Sequence, residues 1–391
     1  MKIESEINQS DFQTADVLIV SSAHAVNDTY TGFLPALLPV LIEKFTLSNT
    51  AAGALSLGMQ LPSLLQPLIG RLADNSNLRY LLILAPAITG AALSSLGIAP
   101  GYGFLIFLVV LAGLSNSMLH AIGPVLASTY SGKKLGKGMS FWMIGGEFGR
   151  VLGPLTIVTV LSFLEMDKLP LLMIAGIMAS TFLAIKLNAI TTQQTEGAHP
   201  TIKFALQGLT RVMLPLTLLI VSRSMWIASL NTFLPTFLKT EGSTLFIAGA
   251  SLSIFKISGV LGLLLIGPLS DRFKKSILLT ISFLVTPLLT FIFIHTNNLI
   301  QTLILILIGF FGVPTTSILM AILMENSHQN RSFANGVYMA VSFIFNALAV
   351  LLVGRFSDLL GLRTTFMISA GILALGLPSI LFLPKSLKDR K

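Results

Sequence analysis

Four groupings in this sequence have the residue types and spacing for handling protons or anions, and each stands in an otherwise apolar stretch. His24, Asn27, Asp28 and Thr31 fall within DVLIVSSAHAVNDTYTGFLPALLPVLIEKF, Asp16 to Phe45. His24 and Asp28 are four apart, so on a helix they share a face, with Asn27 and Thr31 beside them. Asn116 and His120 repeat the four-residue spacing further on, and Glu147 and Arg150 stand one turn apart after that. The fourth grouping is cationic. Arg223 and Asn231 are eight apart with Trp226 nearby, and Lys256 follows in a separate apolar run. A charged side chain at bilayer depth costs roughly 2.5–3.5 kcal/mol even on lenient scales. A face that carries one must look into a wet, protein-lined chamber, not into lipid.

Desolvation favours the protonated form of a carboxylate, and a nearby cation favours the ionised form. A carboxylate balanced between the two can load a proton on one side of a membrane and release it on the other. Asp28 is the first candidate for that role, the alternative being permanent pairing with Arg or His. Glu147 is a second proton site, or is neutralised by Arg150 at i, i+3. His24 and His120 are proton relays or hydrogen-bonded structural histidines. Arg223 suits carboxylate and phosphonate oxygens because its guanidinium is a planar fork; Arg223 and Lys256 could instead form ion pairs between spans. Trp226 is a wall residue that could stack on substrate. The substrate-lining candidates are Asn27, Tyr30, Asn116, His120, Arg150, Arg223, Trp226, Asn231 and Lys256.

The elements that position these residues follow from composition. Of 391 residues, 53% are hydrophobic and 10% charged, with mean hydropathy +0.85. Soluble domains carry about 25% charge, so the chain reads as an all-α integral membrane protein. Apolar blocks long enough to span lie near 16–41, 50–73, 78–98, 102–130, 138–164, 169–190, 212–238, 246–270, 276–295, 299–325, 333–358 and 364–384. That predicts twelve transmembrane helices: a six-helix bundle over 1–190, a cytoplasmic linker over 191–210 and a second bundle over 211–391. With both termini cytoplasmic, seventeen of the 25 Lys and Arg face inside and five outside, as the positive-inside rule requires. The net charge of +9 is then a matter of topology, with no nucleic-acid partner implied. The opening MKIESEINQSDFQTAD lacks the pattern of a signal peptide. With no cysteine and five scattered histidines, neither a thiolate nor an H-E-x-x-H metal site is expected, and no cofactor.

The halves echo one another. Phe33-Leu34-Pro35 recurs as Phe233-Leu234-Pro235, Gly70 to Asp74 as Gly267 to Asp271, and Lys137-Gly138 as Asn335-Gly336, at offsets of about 197 to 200. A parallel six-span repeat is a transporter architecture. Gly267-Pro-Leu-Ser-Asp-Arg-Phe-Lys-Lys275 resembles the G-x-L-[AS]-D-R-x-x-[KR]-[KR] signature of the major facilitator superfamily, and GRLADNSNLR from Gly70 is a thinner copy. In that family this loop stabilises one access state, which implies gating roles for Gly70, Asp74, Gly267, Asp271 and Arg272. The physical logic is that glycine lets helices approach closely, while the aspartate can hold a helix N-terminus or a basic residue. GGEFGRVLGP, Gly145 to Pro154, resembles the family's Gly-Pro motif, commoner in exporters, with Gly145, Gly149 and Gly153 forming a contact stripe. HAVNDTYTGFLPALLPVL, HAIGPVLAS, NTFLPTFL and GVYMAVSFIFNALAVLLVGRFSDLLGLR resemble the fosmidomycin-resistance branch, although His120 is followed by Ala121 where that branch tends to have proline.

The resemblance implies the major facilitator fold of two pseudo-symmetric six-helix bundles. It also implies proton-coupled export of a small polar or anionic drug or metabolite, fosmidomycin-like, across the inner membrane by alternating access. Asp28, Glu147 and His24 would couple protons. The alternatives are an importer or exchanger of an organic anion, and a siderophore or metallophore exporter. The partners expected are a small-molecule substrate, protons and the lipid bilayer. A monomer is expected, and with short loops and no nucleophile constellation an enzyme is not.

Overall fold

Backbone groups held away from water must bond within their own segment or across a closed sheet, and this chain takes the helical solution. The computed structural model describes residues 11–66, 68–69, 79–187, 202–326 and 331–384, and no strand occurs among them. In chain order the helices are α1 (Thr14–Thr31), α2 (Phe33–Phe45), α3 (Asn49–Gln60), α4 (Arg79–Ser94), α5 (Tyr102–Ser131), α6 (Leu135–Phe163), α7 (Met173–Lys186) and α8 (Ile202–Ala228). There follow α9 (Leu234–Thr240), α10 (Leu245–Arg272), α11 (Lys275–Phe293), α12 (Asn298–Gly312), α13 (Thr315–Asn326), α14 (Arg331–Leu360), α15 (Leu362–Ala374) and α16 (Leu377–Ile380).

Nine stretches among the described residues are long and apolar enough to cross a membrane. One of them, Tyr102–Phe163, runs for 62 residues through α5, a tight 3-10 turn and α6, far beyond the ~20 residues of one crossing. The first two expected spans are not among the nine. His24, Asn27 and Asp28 dilute the apolar character of α1, which also parts from α2 at Gly32; α3 gives way after Gln60 to a 3-10 segment, Leu61–Leu65. Helix α8 begins at Ile202, inside the stretch expected as linker.

The chain folds as two compact units, one of Met1–Phe45 with Leu55–Glu196, the other of Thr46–Ala54 with Gly197–Lys391. In the second unit α10 packs along α12, α8 along α14, and α11 against α12 and α15. In the first, α4 packs on α5 and α7, and α1 lies along α6. The α1–α6 contact is made by backbone. A Cβ on Gly145, Gly149 or Gly153 would run into the carbonyl oxygen of Ser21, Ala25 or Thr29 respectively. Both series step by four, so the small-residue stripe of α6 meets one line of carbonyls on α1 over two full turns. An apolar core of Val17, Val20, Leu82, Leu119, Leu126 and Trp142 closes around one end of this pair.

Gly149→Ala is expected to force α6 off α1 and lower stability by about 1–3 kcal/mol, the usual cost of overpacking. Gly371→Ala, at a helical glycine with open space around its Cβ position, is expected to be neutral. Thermal unfolding of the two variants in detergent, side by side, checks the pair.

Candidate functional site

The line of α1 carbonyls that receives the glycine stripe also fixes where His24 and Asp28 point. Gly146 leaves room for the His24 ring, and a Cβ on Gly149 would lie 3.0 Å from the Asp28 Cβ. The two side chains occupy space that any larger residue on α6 would fill. Asp28 is 2% exposed, His24 2% and Asn27 0%.

Around the Asp28 carboxylate the first unit gathers basic groups from three helices. Oδ2 lies 3.3 Å from His24 Nε2, and Oδ1 lies 3.4 Å from His120 Nε2 on α5. Arg150 of α6 places its Nε 3.8 Å from Oδ2, while its Nη2 donates to Glu147 Oε1 at 2.6 Å. Asn27 Nδ2 donates to Asp28 Oδ1 at 3.3 Å and to Asn116 Oδ1 at 2.7 Å. His24 Nδ1 lies 2.9 Å from the Trp142 carbonyl, and its ring stacks on the Trp142 indole with centroids 3.9 Å apart. The His120 ring meets His24 edge-on at 4.8 Å.

The Trp142 carbonyl can only accept, which assigns the Nδ1 proton of His24. Its Nε2 is then an acceptor in the neutral ring and a donor in the charged one. One proton turns the His24–Asp28 contact from lone pair against lone pair into a charge-assisted bond. His120, Glu147 and Arg150 have side chains 26%, 31% and 37% exposed, against 3% for Asp28. The cluster grades from partly exposed groups to a buried carboxylate. His24, Asp28 and His120 also offer ligand atoms within 4.8 Å of one another, where no metal site was expected. Arg150 beside the carboxylate already supplies a positive charge.

Seven of the expected residues meet here: His24, Asn27, Asp28, Asn116, His120, Glu147 and Arg150. Two others on α1 do not. Tyr30 is 4% exposed and donates its hydroxyl to the Leu172 carbonyl at 2.6 Å, and Thr31 bonds back to the Asp28 carbonyl. Tyr30 lies two residues past Asp28, about 200° around the helix, which turns it toward α4 and α7 and away from the carboxylate. Trp142, which fixes His24 from behind, was not foreseen. Its only signal was its place one turn before Gly146, on the side of α6 that faces α1.

In the second unit the chemistry is cationic. Arg223, on α8, has its Nε buried without a hydrogen-bond partner. Among the described residues no carboxylate lies within ion-pair distance of it. Lys256 of α10 donates to Asn231 Oδ1 at 2.5 Å. Asn231 stands in a π-helical turn, Ser229–Phe233, between α8 and α9; such turns are frequent at functional sites. Trp226 is a packing residue, 1% exposed, with its indole N–H on Thr290 Oγ1 at 3.0 Å and its ring against Gly312 and Phe255. That burial leaves it no face on which to stack a substrate. Of the expected gating residues, Gly70 and Asp74 lie outside the described residues, as do the surroundings of Gly267 and Asp271; Arg272 is exposed at the end of α10.

The sequence matches the family model described as Major Facilitator Superfamily over residues 20–350. It is 24% identical over 373 residues to the fosmidomycin resistance protein of Escherichia coli (strain K12), covering 93% of this chain and 91% of that protein. It is 23% identical over 380 residues to the MFS-type transporter YfnC of Bacillus subtilis (strain 168), covering 93% and 92%. Among solved structures, a bacterial homologue of the human lysosomal transporter Spinster, inward-facing and occupied, superposes with a TM-score of 0.81 at 15% identity, over 97% of this chain and 99% of that one. The nucleoside transporter NupG gives 0.73 at 16% identity, over 93% and 98%. At such identities the superpositions speak for the fold. The family model spans most of the sequence, and on that match the chain belongs to the major facilitator superfamily.

Proposed function

We propose that this multi-pass membrane transporter exports a small polar or anionic drug or metabolite in exchange for protons, by alternating access. The observation that carries the reading is Asp28, a carboxylate 2% exposed within an apolar helical unit and contacted by two imidazoles and a guanidinium. Such a group is costly to keep, and its partners are the residue types that stabilise or release a proton. Ionised, Asp28 can accept a hydrogen bond from a substrate N–H or O–H; protonated, it loses most of that hold. Proton and substrate then compete for one carboxylate, which is the differential affinity that exchange requires. Arg223 and Lys256 in the second unit suit an anionic group, with Asn231 orienting Lys256. His24 and Glu147 are the further proton carriers, and Tyr30 and Trp226 take structural parts.

The similarity to a fosmidomycin resistance protein supports a phosphonate as the first substrate to try. Twelve spans put both termini on one face, and the seventeen Lys and Arg that a cytoplasmic placement puts inside support that face being the cytoplasmic one of a bacterial inner membrane. Uptake or exchange of an organic anion is the second reading, favoured by an Arg223 with no carboxylate at ion-pair distance among the described residues. Everted vesicles separate the two.

Everted vesicles acidified inside are expected to accumulate fosmidomycin, and Asp28→Asn to reduce this to the level of vesicles without the protein while the thermal transition stays in place. Accumulation undiminished in Asp28→Asn, or driven only by the opposite gradient, would exclude the proposal. Arg223→Gln is expected to raise KM for the phosphonate about tenfold or more, and Arg223→Lys by less, because an ammonium keeps the charge but not the fork. Equal KM values in all three proteins would remove Arg223 from recognition.

A further inference from the structure

A neutral His24 and an ionised Asp28 face one another with lone pairs. His24 gives its Nδ1 proton to the Trp142 carbonyl at 2.9 Å, which leaves Nε2 as an acceptor 3.3 Å from Asp28 Oδ2. That Nε2 is buried and has no hydrogen-bond partner, on a side chain 2% exposed. His120 brings a second Nε2 to 3.4 Å from Oδ1, from another helix. It can carry its proton on Nδ1 and so present a second nitrogen lone pair. Opposed lone pairs at such distances repel unless positive charge lies between them. One proton relieves a single contact, whereas a dication answers both imidazoles and the carboxylate at once.

The distances suit a metal. Zinc binds imidazole nitrogen at about 2.0–2.1 Å and carboxylate oxygen at about 2.0–2.2 Å, most often tetrahedrally, and the edge of such a tetrahedron is roughly 3.3–3.4 Å. The two nitrogen-to-oxygen separations are 3.3 and 3.4 Å. One ligand atom from each of His24, Asp28 and His120 falls within 4.8 Å of the other two. The His120 side chain is 26% exposed, so its ring has room to close the remaining gap. A ligating histidine characteristically gives its other N–H to a carbonyl or carboxylate. His24 does this with Trp142, whose indole stacks against the imidazole. Three protein ligands leave a fourth position for water.

Charge does not forbid the ion. Arg150 Nε lies 3.8 Å from Asp28 Oδ2, beyond hydrogen-bond reach, and its Nη2 is 2.6 Å from Glu147 Oε1. Arg150 and Glu147 cancel one another, so with both imidazoles neutral the charge of Asp28 is left unbalanced. Imidazole nitrogens select zinc, nickel or copper over magnesium and calcium, which take oxygen. The triad has neither a thiolate nor two histidines on one helix, which is why spacing along the chain did not announce it.

We propose that His24, Asp28 and His120 form a binding site for a divalent transition-metal ion of the zinc class. The site stands on its own geometry. Its bearing on transport rests on the proton-exchange reading above: a bound ion occupies the carboxylate that proton and substrate take in turn, and so blocks exchange.

The metal alone is the probe. Full-length protein without a polyhistidine tag, purified in detergent and stripped with chelator, is titrated with Co2+ and then with Zn2+. A visible d–d band is expected to saturate at one ion per chain and to be removed by zinc, but not by an excess of Mg2+. The chain has no cysteine, so no thiolate contributes to the band. His24→Gln, Asp28→Asn and His120→Gln are each expected to weaken cobalt binding about tenfold or more, since even partners outside the ligand set change metal affinity about 10- to 100-fold. His295→Gln, at an exposed histidine whose Nδ1 faces the Phe291 carbonyl, is expected to leave it unchanged. Should the two buried variants fail to fold, His120→Gln carries the test from a side chain already partly exposed. No band, a band equally strong in every variant of the triad that folds, or one lost in His295→Gln would overturn the assignment. No transport is measured, so the metal site can fail while proton-driven export stands, and the vesicle experiment with Asp28→Asn decides the latter separately.

Discussion

A buried carboxylate must be answered by its neighbours, and the first unit is organised around answering Asp28. His24 reaches it from the same helix, His120 from α5 and Arg150 from α6. Removing any one of these would leave the others to neutralise a charge whose burial costs several kcal/mol. The cluster is neither a simple ion pair nor a neutral hydrogen-bond network. It joins two imidazoles, a guanidinium and an amide to one carboxylate.

The cluster depends in turn on how closely two helices can lie. Gly145, Gly149 and Gly153 let α6 reach the carbonyls of α1, and Gly146 leaves the space that the His24 ring fills. A motif that reads as packing is therefore also what aims the ionisable groups. Packing and chemistry cannot be assigned to separate residues here, because the same stripe that removes side chains from the interface creates the slot for the imidazole. Trp142 closes that slot from behind, giving His24 both a stacking face and an acceptor for Nδ1.

The second unit repeats the helical plan with opposite chemistry. Where the first unit buries an acid among bases, the second holds Arg223 with an unsatisfied Nε and Lys256 on an amide oxygen. Repeated structure sets similar helices in similar places, but it does not fix what their inner faces carry. Divergence at a handful of such positions is enough to give one unit a buried acid among bases and the other a pair of cations.

Much of this was legible in the sequence. The scarcity of charge excluded a water-exposed fold, the four-residue spacings of His24 with Asp28 and of Asn116 with His120 set each pair on one face, and the glycine stripe announced a close helix contact. These are local properties, settled by helix periodicity and by the cost of polar groups in lipid. Tertiary structure decided which faces meet. It turned Tyr30 toward the Leu172 carbonyl though it stands two residues from Asp28, buried Trp226 against Gly312, and brought Asn116 to Asn27, 89 residues earlier in the chain. Spacing along a helix fixes direction around its axis, but the partner waiting in that direction is set by how distant helices pack, and no local pattern encodes it.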